Sequence, residues 1–151
     1  MIRLLYKIDV SFKTAGRFID LETFIKDQDD DAFVKATIKP RFPCFKIPEK
    51  VKAFAVALYM IESDELKQNY PWIYNPPSFP SSNEMSTGSI EREAFAQTYG
   101  GYMEMVYLCA NQQVLNFDKV FEMPTEKFLF LSEYLIRKRI VENLKWTTYQ
   151  K

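Results

Sequence analysis

Hydrophobic and polar positions alternate from the first residues of the chain. Ile2, Leu4, Tyr6, Ile8, Val10 and Phe12 are apolar, with Arg3, Lys7, Asp9, Ser11 and Lys13 between them. Only Leu5 breaks the two-residue period, so the pattern predicts a strand with one buried face. Thr14-Ala15-Gly16 then offers a turn, Gly16 tolerating positive φ.

Residues 17–38 satisfy two periods at once. Ile19, Leu21, Thr23 and Ile25 suit a strand, whereas Phe18, Leu21 and Ile25 also fall on one helix face. Asp27-Gln28-Asp29-Asp30-Asp31 interrupts the segment, and Val34, Ala36 and Ile38 alternate again. A strand in water needs a partner. The reading therefore leans to a small antiparallel sheet, with a helix as the alternative and another subunit then supplying the second strand.

Pro40, Pro43 and Pro48 keep the next stretch extended. Pro48 suits the first turn of a helix, and Val51, Phe54, Ala55, Leu58, Ile61 and Leu66 follow at helical spacing as its buried stripe. This helix should fade near Asn69, because Pro71 disfavours helical geometry at Tyr70. There follows NYPWIYNPPSFPSS, residues 69–82, with four prolines and four aromatic rings in fourteen positions. It reads either as a crossover packed onto its own domain or as a semi-rigid arm that anchors a neighbouring subunit. Prolines reduce the freedom lost on docking, and Trp and Tyr supply large contact areas. On the docking reading Trp72, Tyr74 and Phe79 are the partner-binding residues.

Ser89 is a candidate N-cap for a second helix reaching about Gln113, with Phe95, Tyr99, Tyr102, Val106 and Cys109 as its stripe. Gly100-Gly101 marks a kink or a closely packed neighbour within it. NFDKVFEMP predicts a short helical turn. The last helix opens at Pro124, with Phe128, Leu131, Leu135 and Ile136 on one face and Arg137-Lys138-Arg139 near its negative end. The expected fold is α+β in a single domain. Its β-containing part covers residues 1–47, a helix 48–69, the proline-aromatic arm 70–88 and a helical part 89–151, giving three helices behind a short antiparallel element.

Composition narrows the chemistry. The 151 residues are 47% apolar and 26% charged, a globular balance. Aromatics reach 16%, including thirteen Phe and nine Tyr, enough to suggest rings at an interface. Twenty basic and twenty acidic residues cancel, so the surplus that nucleic-acid binding requires is missing and no such partner is expected. The longest apolar run, Ala53 to Ile61, is nine residues, about half a membrane span. Lys7 and Asp9 also interrupt the run that a signal peptide needs. The expectation is a soluble chain, not secreted by that route and without a membrane partner. Cys44 and Cys109 lack CxxC spacing and read as a reduced pair, with a disulfide left open.

The chain has no histidine, which removes Ser-His-Asp and Cys-His catalysis and the histidine-containing zinc sites. Its four glycines, at 16, 88, 100 and 101, assemble no phosphate-binding loop or nucleophile elbow. Asp29, Asp30 and Asp31 invite a divalent cation, but EF-hand spacing is missing and a solvated turn is the simpler reading. Arg137-Lys138-Arg139 read as dipole compensation, and Cys109 as a small hydrophobe. No catalytic, cofactor-binding or metal residue is assigned.

FDKVFEMPTEKFLFLSEYLIRKR resembles small tail-assembly, tail or baseplate proteins of tailed bacteriophages, in which a turn ending in Met-Pro precedes a Phe/Leu-rich helix with a basic end. The matching positions are Phe117, Val120, Met123, Pro124, Phe128, Leu131 and Arg137. The resemblance implies a structural or assembly role, in the virion or the host cytoplasm, and no catalytic residues. The expected function is therefore a non-enzymatic interaction protein whose partners are other protein subunits, copies of itself included. The alternatives are a carboxylate-based enzyme using a divalent metal, and an intracellular adaptor or inhibitor of one protein.

Overall fold

The computed structural model describes residues 5–42, 45–75 and 101–149, with residues 143–149 as backbone alone. The fold is α+β and mostly helical, with a two-stranded antiparallel sheet near the N-terminus. Contacts cluster in two compact units, Met1–Asn69 and Tyr70–Lys151. The division falls where Pro71 was expected to end a helix, inside what the sequence suggested was a single domain.

In the first unit, β1 (Tyr6–Ile8) pairs with β2 (Ile38–Pro40), Tyr6 opposite Pro40 and Ile8 opposite Ile38. The expected strand is thus real but short. Two helices separate its halves, α1 (Ala15–Lys26) and α2 (Asp30–Thr37). The strand reading of Ile19 to Ile25 is therefore corrected to helix. Phe18 and Leu21 lie on the helical face and are fully buried, whereas a strand would have placed them on opposite sides of a sheet. Thr14 caps α1, and Asp29 caps α2 by accepting from the Ala32 amide at 3.0 Å. The three aspartates consequently open a helix, with Asp30 and Asp31 in its first turn.

Arg17 fastens the end of the strand to both helices. Its guanidinium donates to the carbonyls of Ser11 at 2.6 Å, Asp9 at 2.8 Å and Ala36 at 3.3 Å. The core gathers Tyr6, Val10, Leu21, Phe33, Ile38, Val51, Ala55 and Tyr59. Helix α3 (Glu49–Gln68) follows Pro48 as expected, but buries Val51, Ala55, Tyr59 and Ser63. Phe54 and Ile61, assigned to the core by spacing, are exposed. Tyr59 sets this rotation. Its ring packs edge-on against Phe12 and Phe33, and its hydroxyl donates to Glu22 at 2.7 Å. Lys67 reaches the other Glu22 oxygen at 2.8 Å, tying α3 to α1 near the helix end.

The second unit begins with α4 (Pro71–Tyr74), a helical turn at the start of the proline-aromatic segment, with Pro71 at its first position. Helix α5 (Gly101–Cys109) leads through a 3-10 turn, Val114–Asn116, to α6 (Phe117–Phe121) and α7 (Thr125–Tyr149). Residues 76–100, and with them Phe79, Ser89 and the Phe95–Tyr99 part of the expected stripe, lie outside the described residues, as does Cys44. Among the described residues, a Cβ at Gly101 would meet no atom within 4 Å, so no tightly packed neighbour among them explains this glycine. Met105, Val106, Ala110, Val120, Phe128 and Leu129 are buried in this unit. No helix among the described residues is long and apolar enough to cross a membrane.

Candidate interaction site

Helix α7 presents apolar residues on two sides. Thr125, Phe128 and Ser132 are buried on one. Phe130, Tyr134 and Val141 are 62%, 56% and 50% exposed. At about 100° per residue, these three and Arg137 fall within an arc of roughly 60° on the opposite side. A helix that only covers its own core carries one apolar stripe and a polar back. Here the back carries rings.

Trp72 and Tyr74 are held beside this helix. The Arg137 guanidinium lies over the Trp72 ring, 5.2 Å from its centroid, a cation–π contact. Because Arg137 lies at one edge of that arc, the half-buried indole borders the exposed surface. Tyr74 plays a different part. Its hydroxyl meets that of Tyr102 at 3.0 Å, which joins α4 to α5. Tyr70 donates to the Glu126 carbonyl at 3.1 Å. Burial, aided by the carboxylates of Glu126 and Glu133, raises the Tyr70 pKa and keeps this donor protonated.

The basic triplet is corrected in place and partners. Helix α7 continues to Tyr149, so Arg137, Lys138 and Arg139 lie in its middle, beyond the reach of its terminal dipole. Arg137 approaches Glu133 at 3.8 Å, Lys138 approaches Glu142 at 3.9 Å, and Arg139 approaches Glu104 at 3.5 Å. Glu133 Oε2 is buried without a hydrogen-bond partner among the described residues, and the nearby Arg137 charge offsets its desolvation. A groove lined by Ile73, Gly101, Met105, Leu108, Ile136 and Ile140 runs beside the Glu104–Arg139 pair.

Cys109 is a free, half-buried thiol 3.5 Å from the Ser132 hydroxyl. Burial pushes its pKa up, the direction opposite to nucleophile activation. Among the described residues, no three Cys, Asp or Glu side chains gather as a metal cage requires. Comparison with protein-family models, curated proteins and solved structures returns no match for this chain.

Of the three expected contact residues, Trp72 borders the exposed stripe, Tyr74 is engaged within its own unit, and Phe79 lies outside the described residues. Phe130, Tyr134 and Val141 were missed. Their signal was the excess of apolar positions on the last helix, which one buried stripe could not absorb.

Proposed function

We propose that this chain is a non-enzymatic interaction protein that docks other protein subunits through the outer face of α7 and the adjoining edge of Trp72. The observation that carries this reading is the exposed line of Phe130, Tyr134 and Val141 opposite the helix's buried face. Trp, Tyr and Arg are the residue types that most often dominate binding energy, and all three meet here. Contact with a foreign surface removes these rings from water, a gain of about 25 cal/mol per Å² of apolar area before association costs.

The resemblance of residues 117–139 to phage tail and baseplate proteins supports a more specific setting. The chain then serves as a component or assembly factor of a tail, baseplate or related particle, in the virion or the host cytoplasm. Photo-crosslinking tests the docking role. A photoreactive residue at Tyr134, introduced in the native source, should crosslink to a defined particle subunit, and Phe130→Glu should abolish the product. Crosslinks confined to the same polypeptide would count against docking.

A further inference from the structure

The ribbon of β1 and β2 has two edges, and they differ. The Asp9 amide donates to the Thr37 carbonyl at 2.8 Å and the Arg41 amide to the Leu5 carbonyl at 2.9 Å. In this register the backbone groups of Leu5, Lys7 and Asp9 face β2. By the alternation of an antiparallel pair, those of Tyr6 and Ile8 face the other way. The outer edge of β2 has no N–H to offer. The Ile38 amide donates to the Val34 carbonyl at the end of α2, and Pro40 lacks the group. On the outer edge of β1, no hydrogen bond among the described residues engages the backbone of Tyr6 or Ile8.

The solvent face of the ribbon beside that open edge is cationic. Lys7 and Lys39 are exposed directly opposite each other, and Arg41 is exposed two residues further along from Lys39. None of the three is in an ion pair among the described residues. Asp9 continues the row of Lys7, but its carboxylate is engaged by the Ser11 hydroxyl at 2.6 Å and lies 4.0 Å from Arg17. Like charges facing each other weaken the ribbon, and an incoming negative charge would offset that cost.

We propose that the outer edge of β1 receives an extended, acidic segment of a partner protein as a third strand, with its carboxylates beside Lys7. The open edge selects the conformation, since backbone groups two residues apart are satisfied by an added strand. The charges select the sequence. Every second side chain of the added strand lies on the Lys7 side of the sheet. Lys39 is one strand further, about 10 Å away, or one Debye length in 0.1 M salt. A second copy of β1 fits poorly. Antiparallel pairing of Tyr6 with Ile8 of another copy sets Lys7 against Lys7. Three cations are also few for nucleic acid, whose binding draws on counterions displaced from many phosphates. This surface belongs to the first unit and is independent of the docking role proposed for α7.

Nuclear magnetic resonance titration of the isotope-labelled full chain tests the assignment. The probe is an acetylated, amidated heptapeptide of alternating Glu and Val. The largest amide shifts should fall at Tyr6 and Ile8, whose hydrogen exchange should slow as the peptide binds. Lys7→Glu puts a carboxylate opposite Lys39 and should weaken binding roughly threefold to tenfold. Lys39→Glu should also weaken it, with a urea midpoint no lower than that of wild type. A heptapeptide of alternating Lys and Val, and a Glu/Val peptide N-methylated at alternate residues, should both fail to bind wild type. These two peptides keep the test decisive should either variant misfold.

No response at millimolar peptide would overturn the proposal. So would binding that survives N-methylation, binding that Lys7→Glu leaves unchanged in a folded protein, or tighter binding of an oligothymidylate of equal length at the same residues. Phe130→Glu, on α7, should leave the titration as in wild type. If that variant loses crosslinking while the peptide fails to bind wild type, the α7 role stands and the third-strand assignment falls.

Discussion

Gln28 occupies the left-handed region at φ 56°, where side chains other than glycine's are strained. It follows the end of α1 in a two-bond cap: the Gln28 amide donates to Ile25 at 3.3 Å and the Asp29 amide to Phe24 at 2.9 Å. Gln28→Gly should therefore stabilise the protein by about 1 kcal/mol, read as a higher urea midpoint at unchanged slope. A lower midpoint would mean that the side chain contributes more than the strain removes. The same position explains why residues 17–38 were ambiguous in sequence. Helix ends are usually announced by glycine, and here glutamine takes that place. At the other end of the segment Asp29 was legible as punctuation, but its capping role depends on Ala32 being helical.

Asp9 shows how a single residue makes stability depend on pH. The Ser11 hydroxyl donates to its carboxylate at 2.6 Å, and with help from Arg17 this holds the Asp9 pKa below its ordinary value of 3.8. The folded pKa is the lower one, so the stabilisation is fully present above 3.8 and fades as pH falls through the folded value. Wild type should exceed Asp9→Asn in stability near neutrality, with the difference closing in acid. The side chain is 55% exposed, so the effect is small. A difference in urea midpoint that persists unchanged into acid would contradict this assignment.

Among the elements, the sheet has an avoidable conflict. Lys7 faces Lys39 across the antiparallel pair, and like charges directly opposite destabilise. Lys39→Glu should add roughly 0.2–1 kcal/mol in urea unfolding, with the gain declining in high salt. No gain at low salt would mean that the two amines already diverge. Helix α3 shows what periodicity conveys and what it omits. Its bounds and its buried Val51 and Ala55 were legible. Tyr59 and Ser63 were not, because two apolar stripes share the helix and only Tyr59's bond to Glu22 and its ring contacts select between them. Tyr59→Phe should cost about 1 kcal/mol or more, since it leaves a partly buried Glu22 oxygen without this donor. Helix α7 has the same ambiguity with a different consequence, for its second stripe is the candidate docking surface.

Among the described residues, the longest helix of each compact unit has more apolar surface than its own core covers. The α+β composition, the N-terminal strand and the last helix were legible because they follow from hydrophobic period alone. The division at Asn69 was visible as a helix end, but its role as a boundary between units depends on which contacts form. The sequence points to the proline-rich segment for docking, because rings are concentrated there, rather than to the surface proposed on α7. Trp72 is at its edge, yet most of the exposed stripe comes from a helix whose spacing suggested core.

That the outer stripe of α7 is an association surface is the claim on which the functional account depends. Sedimentation equilibrium of wild type and Phe130→Glu, with urea unfolding of both, tests it most directly. The account predicts that the substitution abolishes association while stability stays within about 0.5 kcal/mol, as at an exposed position. Unchanged association, or a core-sized loss of about 3 kcal/mol or more, would contradict it.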